Sequence, residues 1–313
     1  MPDSVTSTLA ALFTSYTQNT RLLRLATPLV ADTLLAETVH GEEGLSSGFS
    51  FTITALSLDA HLSLRSLLGQ PALLELLTSD NSCRPFHGHV TTVEQSGANG
   101  GLARYTLTLA PWTAFLARNR DSRVFQQKTV CEILDAVFAG WQGQGRLAPS
   151  WRYELADAAS YPQRSLTMQY QESDWAFAER LMSEAGLFYY FEHTGDAGSP
   201  SLGRHQLVIA DHNGAFQPNR QATVRFTQSG AVMREDSLDR WRCDTRLLTN
   251  AIALSSWDYR AHGNRQAAAS VHLPGLTIPA MTSRDAPGQY AWPDQEQGQR
   301  TGERQLDASA RAA

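Results

Sequence analysis

At 313 residues the chain exceeds the roughly 250 to 300 residues at which a single hydrophobic core stops growing, so two or three domains are expected. With 42% hydrophobic and 18% charged residues and a net charge of -5, the composition is that of an ordinary globular protein, and its scattered basic residues disfavour nucleic acid as a partner. Cys83, Cys131 and Cys243 are odd in number, far apart and without a CxxC pair, which fits a reducing folding compartment rather than a disulfide framework.

The N-terminal residues carry Asp3 and no early basic residue, and the apolar run Thr8–Phe13 is too short for a signal peptide or a membrane span. Leu9, Leu12, Phe13 and Tyr16 fall at helical spacing and predict a short amphipathic helix or, alternatively, an arm. Arg21–Val30 and Leu34–His40 read as strands. Ser50–Ser57 alternates, with Phe49, Phe51, Ile53 and Ala55 on one face and Ser50, Thr52 and Thr54 on the other. Leu73–Leu77, Phe86–Glu94 and Leu102–Leu109 follow, the last two joined by the Gly/Asn-rich turn Gln95–Gly101. Short antiparallel strands with tight turns over the first ~110 residues predict a barrel or sandwich.

At Pro111 the composition shifts and predicts helix to about Gly140. Thr129 and Glu132 form a capping box, and Val130, Ile133, Leu134, Val137, Phe138 and Trp141 share one face. A loop at 140–150 leads to Tyr161–His193, which reads as strand, helix, strand. Leu166, Met168 and Tyr170 alternate with Thr167 and Gln169, so the apolar set is expected to face the core. Ser173 and Asp174 supply the helix start; Phe177, Ala178, Leu181, Met182 and Ala185 form its apolar stripe, and Gly186 ends it in the left-handed conformation. Leu187–Phe191 then departs as a strand. After an exposed linker at 193–203, Gln206–Ala210, Ala222–Thr227 and Leu248–Ser255 predict a further β domain. Residues 284–313 are polar, and the last fifteen predict a solvated helix with little to bury.

Several constellations bear on chemistry. Gly44-Leu45-Ser46-Ser47-Gly48 matches GxSxG, but it runs into a strand where a nucleophile elbow needs a helix, so a turn is favoured. His87 and His89 share a strand face near Cys83 and raise a metal site, yet no fourth ligand is visible; Phe86, Gly88 and Val90 are expected inward and the histidines outward. Asp174 is explained by capping, and Glu172, Glu179 and Glu184 by the polar side of the helix rather than by acid–base catalysis. Lys128, the only lysine, lies in the approach to a helix, which disfavours lysine chemistry. Trp175, Tyr189, Tyr190 and Phe191 are read as core rather than a sugar platform, and Gly143 and Gly145 lack a dinucleotide fingerprint. No catalytic, cofactor-binding or metal-ligating residue and no cofactor is therefore assigned, and the chain is not expected to be an enzyme.

The stretch YPQRSLTMQYQESDWAFAERLMSEAGLFYYFEH at 161–193 closely resembles the corresponding stretch of the VgrG (Rhs-element Vgr) spike proteins of type VI secretion. Residues 40–51 (HGEEGLSSGFSF), 84–94 (RPFHGHVTTVE), 105–134 and 205–212 (HQLVIADH) agree with it in the same order. The resemblance implies a fold that is mainly β with α+β insertions: two small tube-type β barrels as in phage baseplate hub proteins, the second incomplete. The implied division is 1–112 for the first barrel, 113–198 for a helix/strand insertion, and 199–313 for the second barrel region with an extended arm, truncated at its C-terminus. The implied partners are two further copies in a homotrimer, the hexameric Hcp tube and baseplate components. A PAAR tip protein and effectors would attach through parts absent here. Such a protein assembles in the cytoplasm and is then secreted or injected without a signal peptide. Alternatives are the hub of a prophage or phage-like tail and, from another class, a secreted hydrolase.

Overall fold

The computed structural model describes residues 17–78, 80–99, 101–219, 221–227, 237–243, 247–258, 263–271, 278–289, 292 and 295–311. The expected N-terminal helix at Leu9–Tyr16 lies outside these residues.

The first body is one six-stranded antiparallel sheet. Its strands β1 (Leu23–Ala26), β2 (Leu35–Glu43), β3 (Phe49–Ser57), β4 (Pro71–Leu77), β5 (Cys83–Asn99) and β6 (Leu102–Ala110) are ordered β1-β4-β5-β6-β3-β2. Six or so strands were expected here, and β3 is the one whose alternation was clean. In β3 the inward residues Phe49, Phe51, Ile53 and Ala55 are buried and the intervening Ser50 and Thr52 exposed, as a period of two requires. Bulges between Ala36 and Thr38, Val90 and Thr92, and Gln95 and Gly97 add local twist and curl the sheet into a half-barrel. Its two edges approach one another, and Arg21 Nη1 donates to the Ala36 carbonyl across the gap at 3.0 Å. Leu25, Leu74, Val90, Tyr105, Leu107 and Leu109 fill the concave side.

The second body departs from the expected helix between Pro111 and Gly140. A single helical turn α1 (Thr113–Leu116) is followed by strand β7 (Arg120–Lys128), and only then by α2 (Val130–Ala139). The strand forms because β9 (Arg164–Ser173) pairs with it from Arg120↔Ser173 to Lys128↔Arg164, a long-range partner that local propensity cannot see. The capping box at the start of α2 is present: the Thr129 amide donates to Glu132 Oε2 at 2.7 Å and the Glu132 amide to Thr129 Oγ1 at 3.2 Å. Strand β8 (Trp151–Glu154), which has no clear period, was not anticipated. Helix α3 (Asp174–Ala185) starts at Ser173, whose Oγ accepts from the Ala176 amide at 3.1 Å. Strands β10 (Phe188–Gly195) and β11 (Gly203–Ala210) pair antiparallel, and β11 pairs parallel with β8. Phe138, Phe177, Leu181, Met182, Leu207 and Ile209 make the core between helices and sheet, with Trp175 edge-on to Tyr189 at 5.2 Å.

Beyond this come the short parallel pair β12 (Arg225–Phe226) and β13 (Ser237–Leu238), then a three-stranded sheet of β14 (Ala251–Asp258), β15 (Gly263–Ser270) and β16 (Thr282–Gln289). Among the described residues this second sheet remains three-stranded. Helix α4 (Gln295–Arg311) covers it and is less solvated than its composition suggests, because Leu306 is buried against a core of Ile252, Leu254, Ala267 and Ala269. Arg304 of α4 also reaches the second body, donating to the Ser160 carbonyl at 3.2 Å and its Oγ at 2.8 Å and lying over the Tyr161 ring.

Gly186 terminates α3 at φ +74°, with the Leu187 amide returning to the Met182 carbonyl at 2.8 Å. A Cβ there would lie 2.4 Å from Arg304 Cβ and 2.9 Å from its carbonyl group, so backbone conformation and the α4 contact both demand glycine. Gly186→Val is expected to lower stability by at least about 1 kcal/mol, read as a fall in the urea midpoint. An unchanged midpoint would remove both arguments.

Candidate functional site

The sequence motifs that suggested chemistry fall into structural positions. Ser46 (φ +47°) sits in the hairpin turn between β2 and β3, and its amide donates to the Tyr189 carbonyl at 2.8 Å. A strand follows it, so the GxSxG match is a turn, as expected. Glu172 and Glu184 are held by Arg180 and Arg164 (2.5 to 3.2 Å), and Glu179 accepts from Tyr189 Oη at 2.7 Å.

His87 and His89 overturn the outward expectation. Both are buried, because β10 and β11 lie over β5 and cover the face that the first body leaves bare. Two further histidines, His193 on β10 and His205 on β11, meet them there. His87 Nε2 lies 2.8 Å from the Ser201 carbonyl, which only accepts, so His87 carries its proton on Nε2. The Trp112 amide, which only donates, points at His205 Nε2 at 2.8 Å, so His205 carries its proton on Nδ1. That proton is donated to His87 Nδ1 at 2.8 Å. The result is one directed chain of hydrogen bonds from Trp112 through His205 and His87 to Ser201, satisfied only when both rings are neutral. His193 Nε2 donates to Glu43 Oε1 at 2.9 Å, and its Nδ1 lies against the His87 backbone, 3.1 Å from the amide and 2.9 Å from the carbonyl. His89 Nδ1 is buried with no hydrogen-bond partner.

Burial holds the His87 and His89 pKa values down at about 4, against 6.5 for a free imidazole, and puts His205 well below its ordinary range. The neighbouring rings act in the same direction. Cys83 lies outside this cluster's hydrogen-bond chain, and both nitrogens of His205 are already committed. Among the described residues no group of three or more histidine, cysteine, aspartate or glutamate side chains is placed to hold a metal ion. Burial pushes the Cys131 thiol up to about 11, reinforced by Asp135, which removes it as a nucleophile.

Asp174 holds the second body together from inside. Its carboxylate is buried and accepts from Asn119 Nδ2 (2.9 Å), Trp141 Nε1 (2.9 Å), Gln169 Nε2 (2.8 Å) and the Arg123 guanidinium. Capping therefore describes only part of its role. The network reverses the β9 expectation: Gln169 is fully buried so that it can donate to Asp174 and accept from Arg123, and Thr167 goes in with it. Because side chains alternate, Leu166, Met168 and Tyr170 must then face out, at 54%, 49% and 66% exposure, beside Val124 of β7. The ribbon β7–β9 thus presents an apolar strip to solvent. Patches of this kind mark contact surfaces.

A cavity of about 350 Å³ opens between β2 and the β4–β5 hairpin, lined by Val39, Glu43, Phe51, Leu76, Arg84 and Phe86.

Sequence reasoning missed His193 and His205. The first fell within the stretch read as a linker; the second is separated only by Gln206 from the apolar run Leu207–Ala210, which is the one signal that its strand is covered on both faces.

Residues 42–313 match the family model described as phage tail baseplate hub (GPD). Among characterised relatives, the type VI secretion spike protein VgrG1b of Pseudomonas aeruginosa is 33% identical over 87% of this chain and 35% of its own length. VgrG1a of the same organism is 31% identical over 87% of this chain and 41% of its own. The chain thus spans between a third and two-fifths of these relatives. Among solved structures, an Escherichia coli component of the type VI secretion system, described as similar to the T4 bacteriophage tail proteins gp27 and gp5, superposes at TM-score 0.53 with 27% identity, covering 62% of this chain and 50% of that one. A Neisseria meningitidis tail protein superposes at TM-score 0.55 with 13% identity, over 91% of this chain and 76% of its own, a likeness of fold alone.

Asp174→Asn keeps the shape of the side chain but removes the charge opposite Arg123 and turns an amide toward donors. It is expected to cost on the order of 3 kcal/mol in urea denaturation. A loss within about 0.5 kcal/mol of wild type would show that the four donors do not depend on the carboxylate.

Proposed function

We propose, from the premise that the chain belongs to the phage tail baseplate hub family and is similar to VgrG spike proteins, that it is the hub portion of a type VI secretion spike and serves a structural role. The observation that carries this reading is the match of residues 42–313 to the hub family, together with a curled antiparallel half-barrel at the start of the chain. On this reading the chain divides at 1–112, 113–198 and 199–313, and the second barrel is completed from the β14–β16 sheet by strands of the longer protein. Three copies assemble, their barrels form a pseudo-sixfold ring, and that ring stacks on the hexameric Hcp tube within the baseplate. A PAAR tip and effectors join through the remainder of the protein. Assembly takes place in the cytoplasm, and the spike leaves the cell by injection.

The function is geometric, and the surfaces that serve it are exposed. The strip of Val124, Leu166, Met168 and Tyr170 is one; the exposed Phe226, Trp241 and Trp257 farther along the chain are others. A tail hub of phage origin is physically close to the same object, and the Neisseria likeness favours that fold. The identity to spike proteins, 33% against 13% for that tail protein, places the weight on the secretion spike.

Electron microscopy of the full-length protein should show threefold particles whose base caps Hcp tubes. Met168→Glu combined with Tyr170→Lys should leave the monomer's thermal transition within about 0.5 kcal/mol of wild type, since both side chains are largely exposed, yet weaken assembly. Full-length protein that remains monomeric and ignores Hcp tubes would overturn the proposal.

A further inference from the structure

The buried histidines do not serve the proposed assembly role, and their geometry points to a second property that does not depend on that role. Each hydrogen bond of the Trp112–His205–His87–Ser201 chain has room for one proton, and each is already filled. A proton added to His87 Nδ1 would set two N–H groups against each other across the 2.8 Å contact to His205. A proton added to His205 Nε2 would do the same against the Trp112 amide, also at 2.8 Å. Either addition turns an attraction into a repulsion and leaves a charge in a site walled by Phe49 and Phe191, with ring centroids 5.3 and 5.9 Å from His205. His89 is no refuge for the proton, since its Nδ1 faces no acceptor and its ring lies against Phe115.

We propose that this contact is an acid-released latch: uptake of one solvent proton by His87 or His205 breaks the hydrogen-bond chain and frees β10 and β11 from β5, parting the second body from the half-barrel. The surroundings offer little to compensate the charge. From β2 comes Glu43, which is engaged with His193; from β5, His87 and His89 themselves, with Arg84 drawn over the Phe86 ring. From β10 comes His193 and from β11 His205, while Arg146 offers its backbone to His89, and β3 and α1 contribute the uncharged Phe49 and Phe115.

The sign follows from the depressed values. In the closed seam His87 and His89 resist protonation down to about pH 4, whereas once released they protonate near 6.5. The seam is therefore fully stable above about 6.5 and weakens as pH falls from there toward 4.

Hydrogen exchange on the whole chain at about pH 7 and about pH 5, corrected for intrinsic rates, tests this. The amides of β10, β11 and residues 86–90 should lose about tenfold or more protection at the lower pH, while those of β14 and β15 keep theirs. A His87→Gln, His205→Gln variant should show a markedly smaller selective loss, the remainder being set by His89. Unchanged protection of the wild-type seam, or an equal loss in β14 and β15, overturns the latch, as does a folded double variant that loses protection as the wild type does. If the double variant does not fold, the wild-type contrast between the two regions decides alone.

Discussion

Residues 87–90 of strand β5 have to be buried on both faces, and much of the molecule follows from that constraint. Val90 packs into the concave core of the half-barrel, while His87 and His89 meet the second body. A strand covered on both sides is ordinarily a continuous apolar run. Here one face carries imidazoles, which are apolar enough in their neutral form to be buried and polar enough to need partners. The second body supplies those partners as backbone groups: the Ser201 carbonyl and the Trp112 amide. Specificity comes from direction as well as contact, because the donors and acceptors match in only one tautomeric arrangement. Glycine completes the fit, since a Cβ at Gly88 would press on Leu109, Ala110 and Phe49 at 3.1 to 3.2 Å, and one at Gly195 would lie 2.9 Å from Pro85.

The second body is organised around a different polar group. Asp174 stands at the start of α3, where the helix dipole already favours a carboxylate, and its four side-chain donors come from four separate places in the chain. Burying a charge without such donors would be strongly unfavourable; with them, the carboxylate fixes where α3, the ribbon and the end of α2 sit relative to one another. The consequence is felt at the surface. Satisfying Asp174 pulls Gln169 inward, and the strict alternation of the strand then expels Met168 and Tyr170. An exposed apolar strip is thus the geometric corollary of an internal hydrogen-bond network, and it leaves a surface suited to contact with other chains.

Local rules made much of the fold legible. The alternation of β3, the Thr129–Glu132 box, the Ser173 cap and the Gly186 terminus all rest on neighbours within a few residues, and each is present. What stayed hidden depends on partners far along the chain. Strand β7 pairs with a segment some forty residues later, so its mixed polar pattern gave no period; β8 is only four residues long. The orientation of β9 could not be read because hydrophobicity argued one way and an unpaired buried charge the other, and the charge is the costlier group to leave unsatisfied. The histidines were visible as a motif, but their burial required knowing that β10 and β11 would lie over them. The alternation around His87 and His89 argued for the outward direction, and the covering strands reversed it.

Two separate contacts couple the bodies. The half-barrel touches the second body through the Ser46–Tyr189 backbone hydrogen bond, through Phe49 against Phe191 and through neutral imidazoles, and the last of these depends on a single proton position. The second body touches the β14–β16 sheet through α4, where Arg304 holds Ser160 and Tyr161, Gln305 donates to the Glu184 carbonyl, and the α3 terminus is cut down to glycine to admit it. That second contact is made by a guanidinium and an amide against a carbonyl, a hydroxyl and a ring, with no imidazole in it. One connection is thus titratable and the other is not, and both pass through the helix–sheet insertion. A device of this kind keeps the insertion attached to the C-terminal sheet while its grip on the half-barrel is adjusted, which is what distinguishes a release at one seam from general unfolding.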